Sequence, residues 1–283
     1  MTEGVVAERV VITGVTGFIG SRVAMRWIER AGEVRGLVRR AVAIPGVDAV
    51  VGDMLDESSL ERAVAGVDVV IHCAVDEGDD PDRARRVNEG GTHALALAAL
   101  AAGCRRFVHV STCGAYALEG LDLVTEATPL WPEERAADHL YGATKAMAER
   151  VLAEFAAQGL GVVILRPPNV LGAHPRSVFT EELATRVRDG AIGYALDGSN
   201  TWPFVHVENF VDAVEAAVDR PVAPGLAYTV VDGHTTWRAF LETYADWFGV
   251  EVARREPRRS LGEAMDEIRR YLRERGVVQS EVG

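Results

Sequence analysis

Cysteine is scarce in this chain and cationic residues are outnumbered by anionic ones, and each shortage removes a class of protein. The three cysteines, Cys73, Cys104 and Cys113, are an odd number with no two at metal-ligand spacing. That excludes a disulfide-built scaffold, gives no sign of a metal site, and fits a reducing compartment. Lys and Arg number 30 against 42 Asp and Glu, a formal charge of −12. The long-range field therefore repels a nucleic-acid backbone or an anionic membrane. Short basic runs such as RRFVH and RREPRR read as solvated faces and do not reverse this. No run reaches the about 18 apolar residues that span a bilayer, and the opening MTEGVVAERVVITG lacks a basic stretch followed by a long apolar one. A soluble, cytoplasmic protein with a small-molecule substrate, and no nucleic-acid or membrane partner, is expected.

What is present is a globular composition, 48% hydrophobic and 25% charged over 283 residues, which suits one main domain with a small lobe. Glycine runs high at 28 residues, and its placement is informative. The first half repeats a β-branched apolar run, a turn rich in Gly or Asp, and a helical stretch, the pattern of an α/β Rossmann fold with a doubly wound parallel sheet. RVVITG, EVRGLV, DAVVGD, DVVIHCA, RFVHVS and GVVILRP read as six strands in that order. Helices are expected from Phe18 to Ala31, across RARRVNEGGTHALALAALAAG, and across YGATKAMAERVLAEFAAQG, which Gly159 closes. After Asn169 the pattern loosens into turns at Gly172, Gly190 and Gly198, with helices near 180–189 and 208–218; substrate loops are expected there. SLGEAMDEIRRYLRERG reads as an amphipathic terminal helix. The division expected is a nucleotide-binding domain over 1–170, with elements returning near 200–220, and a small substrate-binding lobe over 171–283.

Gly14, Gly17 and Gly20 in TGVTGFIGSR follow the first strand and open a helix. Gly14 permits a tight turn, Gly17 lets backbone approach a pyrophosphate, and the helix N-terminus offers free N–H groups to it. In such folds an acidic residue at the end of the second strand holds the adenosine ribose and repels a 2′-phosphate. Counting from Gly20, that place falls on Val38, followed by Arg39 and Arg40. NADP(H) is therefore favoured, with Arg39 on the 2′-phosphate and NAD(H) the alternative.

The fifth strand ends in HVST, and later come Tyr141 and, four residues on, Lys145, which share one face of a helix. A phenol of ordinary pKa about 10 becomes a useful acid or base near a cation, and a strand-terminal hydroxyl can hold a substrate oxygen.

The ordered motifs TGVTGFIG, VGDMLD, VIHCAV, VNEGGT, FVHVST, VTEATPLWP, YGATK, LRPPNVLG and FVHVENFVDA resemble the extended short-chain dehydrogenase/reductases, the NAD(P)-dependent epimerase/dehydratase superfamily. The resemblance runs from Val10 to about Ala217. It implies that Phe18 and Ile19 join the three glycines in the cofactor loop, and that Asp53 and Met54 meet the adenine. It implies that Cys73, Ala74 and Val75 line the cofactor below the fourth strand, and that Pro168 contacts the nicotinamide side. Thr112 would polarise the substrate oxygen, with Ser111 the alternative hydroxyl. Tyr141 would be the acid/base, and Lys145 would bind the nicotinamide ribose and lower the tyrosine pKa. Asn88 would brace the helix beside the site, and a homodimer is implied. His72, His109 and His206 read as packed residues.

The sequence also departs from that family. Members acting on nucleotide sugars usually carry an Arg before the aromatic residue and the VHV stretch, and here Trp202 stands there, in NTWPFVHVEN. An indole cannot neutralise a diphosphate but offers apolar surface, or packs in the lobe. With Arg39, this resembles the dihydroflavonol reductase and 3β-hydroxysteroid dehydrogenase branches. The expectation is an NADPH-dependent reductase of a small, fairly apolar ketone or aldehyde, or the reverse. The alternatives are a nucleotide-sugar epimerase, dehydratase or ketoreductase and a non-catalytic redox sensor.

Overall fold

Runs of β-branched residues alternate with amphipathic helices in the computed structural model, which describes residues 8–30, 32–121, 123–221 and 225–255. In chain order the first elements are β1 (Arg9–Thr13), α1 (Phe18–Glu29), β2 (Glu33–Val38), β3 (Val47–Val51), α2 (Glu57–Val64) and β4 (Val69–His72). Next come α3 (Pro81–Arg85), α4 (Gly91–Ala101), β5 (Arg106–Val110), α5 (Leu140–Ala157), β6 (Val162–Arg166) and β7 (Asn169–Leu171). They are followed by α6 (Glu181–Arg188), β8 (Gly193–Ala195), β9 (Thr201–His206), α7 (Val207–Asp219) and β10 (Leu226–Thr229), then β11 (Gly233–Thr236), α8 (Trp237–Phe248) and β12 (Ala253–Arg255).

Seven strands form the central sheet in the order β10-β6-β5-β4-β1-β2-β3, every pair parallel. The order reverses between β1 and β4, and in such sheets the crevice at the carboxyl ends beside that reversal is where ligands bind. Alternation along each strand divides the core in two. Val10 and Ile12 face one layer with Val23 and Trp27 of α1 and Phe210 and Val214 of α7. Val11 and Val70 face the other, with Leu60 of α2, Leu95 of α4 and Leu152 of α5. Both layers are buried, which is why the strands read as continuous apolar runs.

Two expectations are corrected in detail. The long alanine-rich helix is not continuous: a single π-helical turn, Arg86–Gly90, separates α3 from α4 and carries the buried Asn88. Such bulges re-aim a side chain within a helix. His206 is not packed but exposed, and its Nδ1 accepts the Glu208 N–H at 3.3 Å as the N-cap of α7. A strand that ends where a helix begins leaves such a residue at the surface. The expected terminal helix SLGEAMDEIRRYLRERG lies outside the described residues.

The described residues divide into two compact units, the larger taking those up to Thr180 together with those of Pro203–Gly233, the smaller Glu181–Trp202 and the described residues from His234 to Arg255. Within the larger, β7 pairs with β9 from Asn169 opposite Phe204 to Leu171 opposite His206. Within the smaller, Leu183 and Val187 of α6 and Leu241 and Tyr244 of α8 are buried. There Trp202, 8% exposed, stacks on Phe240 with ring centroids 3.8 Å apart.

Candidate active site

A cavity of about 470 Å³ opens in the larger unit at the carboxyl ends of the strands. Its floor is the turn after β1. Gly14 has φ +68°, and a Cβ on it would lie 2.8 Å from the backbone of Cys73 and Ala74, while one on Gly20 would lie 2.3 Å from the Gly14 carbonyl oxygen. These two glycines thus let the loop, α1 and the end of β4 close on one another. The N-cap of α1, Gly17, makes no side-chain cap, and the first turn holds no acidic residue. Its leading N–H groups, from Phe18 onward, have no partner inside the helix and form a fitting cradle for an anion.

All fifteen residues expected at the site line this cavity. Gly14, Gly17, Phe18, Ile19 and Gly20 come from the loop and α1, Arg39 follows β2, and Asp53 and Met54 follow β3. Cys73, Ala74 and Val75 follow β4, Thr112 follows β5, Tyr141 and Lys145 lie on α5, and Pro168 follows β6. Val38 ends β2 as a buried apolar residue, so no carboxylate stands there, and Arg39 beside it is exposed.

The position of α5 depends on the residue after Tyr141. A Cβ on Gly142 would lie 1.9 Å from the Gly114 carbonyl oxygen, so only glycine lets the first turn of α5 reach the turn at Cys113–Ala115. His139 caps that turn of α5, its Nδ1 accepting the Gly142 N–H at 3.0 Å. The close approach brings the Tyr141 phenol beside the Thr112 side chain. Thr112 Oγ1 also accepts the Gly114 N–H at 3.0 Å, which fixes its rotamer. The other candidate hydroxyl, Ser111, is buried and donates to Glu149, whose carboxylate also takes Arg166 Nε at 3.0 Å.

Lys145 is buried to 2% exposure; its Nζ donates to the Val110 carbonyl at 2.7 Å and meets His109 Nε2 at 3.1 Å. Burial pulls its pKa down to about 8, against the opposing charges of Glu149, Cys73 and Glu77. His109 is held well below its ordinary pKa by burial and by the Lys145 charge, so it is neutral and accepts from the ammonium. His72 is likewise pulled down, to about 3, by burial and by Lys145, and it is fixed between Thr13 Oγ1 at 2.7 Å and Thr92 Oγ1 at 2.9 Å. Burial raises Tyr141 above its ordinary range, Glu77 adds to this, and the neighbouring Thr112 hydroxyl opposes it. The expected lowering of the tyrosine by Lys145 is not among the leading influences here; the ammonium is turned onto β5 and the phenol keeps its proton. Burial also pushes the Cys73 thiol up to about 12, so it is no thiolate nucleophile.

Asn88 joins the wall to α5: its Oδ1 accepts the Asp76 N–H at 2.7 Å and its Nδ2 donates to the Asp76 carbonyl at 2.9 Å and to Thr144 Oγ1 at 3.0 Å. Several lining residues carried no signal of their own in the sequence. Asp76, Glu77 and Arg83 follow β4, and Arg176, Ser177, Val178 and Phe179 lie in the loosened stretch after Asn169.

A parallel sheet in Rossmann order, an anion cradle and a paired Tyr and Lys thus meet at one cavity. The pattern of the NAD dependent epimerase/dehydratase family matches residues 10–230, and the chain belongs to that family. The 3-beta-hydroxysteroid dehydrogenase of Mycolicibacterium neoaurum is 32% identical over 245 residues, 80% of this chain and 66% of that protein. The 2-alkyl-3-oxoalkanoate reductase of Stenotrophomonas maltophilia is 31% identical over 240 residues, 80% of this chain and 71% of that protein. This chain therefore spans slightly under two thirds of the first relative's length. Among solved structures, the dTDP-glucose 4,6-dehydratase DesIV of Streptomyces venezuelae, with NAD bound, is 25% identical with a TM-score of 0.74, covering 95% of this chain and 98% of that one. Among the described residues no helix is long and apolar enough to cross a membrane, and no group of His, Cys, Asp and Glu could hold a metal ion.

Proposed function

We propose that the chain is an NADPH-dependent reductase of a ketone or aldehyde on a small, fairly apolar metabolite, or catalyses the reverse oxidation. The observation that carries this reading is the meeting of Thr112, Tyr141 and Lys145 in a cavity that also holds the α1 N-terminus and Arg39. When bound, the dinucleotide supplies the hydride chemistry. The loop residues Gly14, Gly17, Phe18, Ile19 and Gly20 hold its pyrophosphate, Asp53 and Met54 meet its adenine, Cys73, Ala74 and Val75 line it, and Pro168 borders the nicotinamide.

The protein's own share is positioning and proton supply. Thr112, its rotamer fixed by the Gly114 N–H, holds the carbonyl oxygen and stabilises the charge that develops there. Tyr141, which burial keeps protonated, donates its phenolic proton to that oxygen, a step worth about 10²–10⁴-fold in rate. Lys145 binds the ribose. Asn88 holds Thr144 of α5 and the Asp76 backbone in register with these groups.

The absence of a carboxylate at Val38 and the exposed Arg39 on the cavity wall support NADP(H) over NAD(H). An apolar carbonyl substrate draws support from the relatives, one named for a steroid and one for an alkyl oxoalkanoate. Trp202 lends it none: buried on Phe240, it reads as a core residue of the smaller unit. A nucleotide-sugar dehydratase or epimerase is the second reading, favoured by the likeness to the dTDP-glucose dehydratase. The absence of an arginine at Trp202 speaks against it. The smaller unit as substrate lobe, a homodimer and a cytoplasmic setting complete the proposal; the free cysteines suit the last.

The test is NADPH and NADH affinity by calorimetry, then an NADPH-consumption screen over apolar ketones, aldehydes and UDP or dTDP sugars. Tighter NADPH binding with turnover of apolar carbonyls is expected. Turnover of sugar nucleotides alone would replace this reading with the second.

A further inference from the structure

The four cations on the cavity wall differ in what they already hold. Arg83 pairs with Asp76 at 2.8 Å, and Lys145 is bound to Val110 and His109. Arg39 and Arg176 make no ion pair among the described residues, although Asp53, Asp76 and Glu77 share the wall.

Arg176 sits on a turn fastened to α1 at several points. Arg22 Nη2 donates to the Ala173 carbonyl at 2.9 Å, and His174 Nε2 lies 3.4 Å from Ser21 Oγ. The His174 ring stacks on Phe18, the first residue of α1, with centroids 5.3 Å apart and planes 22° from parallel. The turn closes on itself through the Arg176 N–H, which donates to His174 Nδ1 at 3.1 Å. Burial and the neighbouring charges of Arg22 and Arg176 pull His174 below its ordinary pKa, so the positive charge beside the helix N-terminus belongs to arginine. The next residue, Ser177, is 6% exposed, lines the same cavity, and its hydroxyl has no hydrogen-bond partner among the described residues.

We infer that Arg176 is a pyrophosphate-binding residue, its guanidinium facing the α1 N-terminus across the diphosphate of the bound dinucleotide. The physical need is plain. A helix N-terminus offers the equivalent of about half a positive charge, whereas a diphosphate bridge carries two negative ones, in a chain of net charge −12 with three carboxylates on the same wall. A guanidinium can answer phosphate oxygens with two parallel hydrogen bonds. The inference rests on the reading of this cavity as a dinucleotide site.

The experiment uses the full chain and two probes by calorimetry, ADP-ribose, which has the diphosphate, and adenosine 2′-monophosphate, which lacks it. Arg176→Ala, at an exposed side chain, should weaken ADP-ribose roughly tenfold or more, the scale of one charged hydrogen bond, and leave adenosine 2′-monophosphate unchanged. The difference between variant and wild type should shrink between roughly 0.05 and 0.5 M salt, and Arg176→Lys should recover part of it. Equal ADP-ribose affinity in wild type and Arg176→Ala overturns the inference, as does an equal loss of both probes, which would place Arg176 at the adenosine end. No ADP-ribose binding by the wild type would instead overturn the dinucleotide reading itself.

Discussion

Ser111 gives its hydroxyl hydrogen to Glu149, a buried carboxylate that also holds Arg166, while Thr112, one residue on, is the hydroxyl in contact with Tyr141. Two adjacent hydroxyls at the end of β5 therefore have different tasks. Thr112→Val should lower kcat by about 10²–10³, the cost of removing one oxyanion-holding donor. Ser111→Ala should leave kcat within a few-fold and lower stability by about 1–3 kcal/mol, because Glu149 loses a buried partner. Steady-state kinetics with urea unfolding separate the two; the opposite pattern would make Ser111 the substrate hydroxyl.

Gly142 stands where a side chain would collide with the Gly114 carbonyl, so Gly142→Ala should push the start of α5 away from Thr112. A displacement of about 1 Å can cost on the order of 10²-fold in rate. Activity should fall by that order while the affinity for adenosine 2′-monophosphate, which lacks the nicotinamide ribose and belongs to the opposite end of the cavity, changes little. Unaltered kcat in the alanine variant would show that the approach of α5 does not position Tyr141.

The doubly wound sheet was legible because strands buried on both faces read as apolar runs, and the glycine loop because both the strand and the helix around it were marked. Tyr141, Lys145 and Thr112 were legible from spacing and from the family resemblance. Gly142 was present in YGATK, but its need is set by Gly114, 28 residues away, a tertiary contact that spacing does not encode. The π-helical turn at Asn88 was hidden for a similar reason: alanine-rich sequence favours continuous helix, and the bonds to Asp76 and Thr144 that the turn serves arise only on folding. His206 was misread because the end of an apolar motif looks like a core position, whereas there it caps a helix. Arg176 lay in a stretch without periodicity, and only its fastening to α1 sets it on the cavity wall.

The titration of Lys145 sets an alkaline limit. With its pKa drawn down to about 8, the ammonium is present below that pH and lost above it, so kcat/KM should hold from about pH 6.5 to 7.5 and decline above 8. Tyr141, raised by burial, adds no limb near neutrality. Lys145→Arg, whose cation does not titrate in this range, should remove the limb in whatever activity remains. The same shift bears on folding. The unfolded lysine, of pKa about 10.4, binds more protons than the folded one between about pH 8 and 10.4, so this group's contribution to stability grows with pH across that window and is absent below it. A limb that persists in Lys145→Arg would assign it to another group.

In the proposed function Tyr141 supplies the proton while the loop, α1 and Arg39 hold the cofactor. Its most direct test is Tyr141→Phe, assayed for turnover of a carbonyl that the wild type reduces and, by calorimetry, for NADPH binding. Turnover is expected to be lost, by about 10²-fold at the least, with NADPH affinity nearly intact. Full activity in the phenylalanine variant would contradict it.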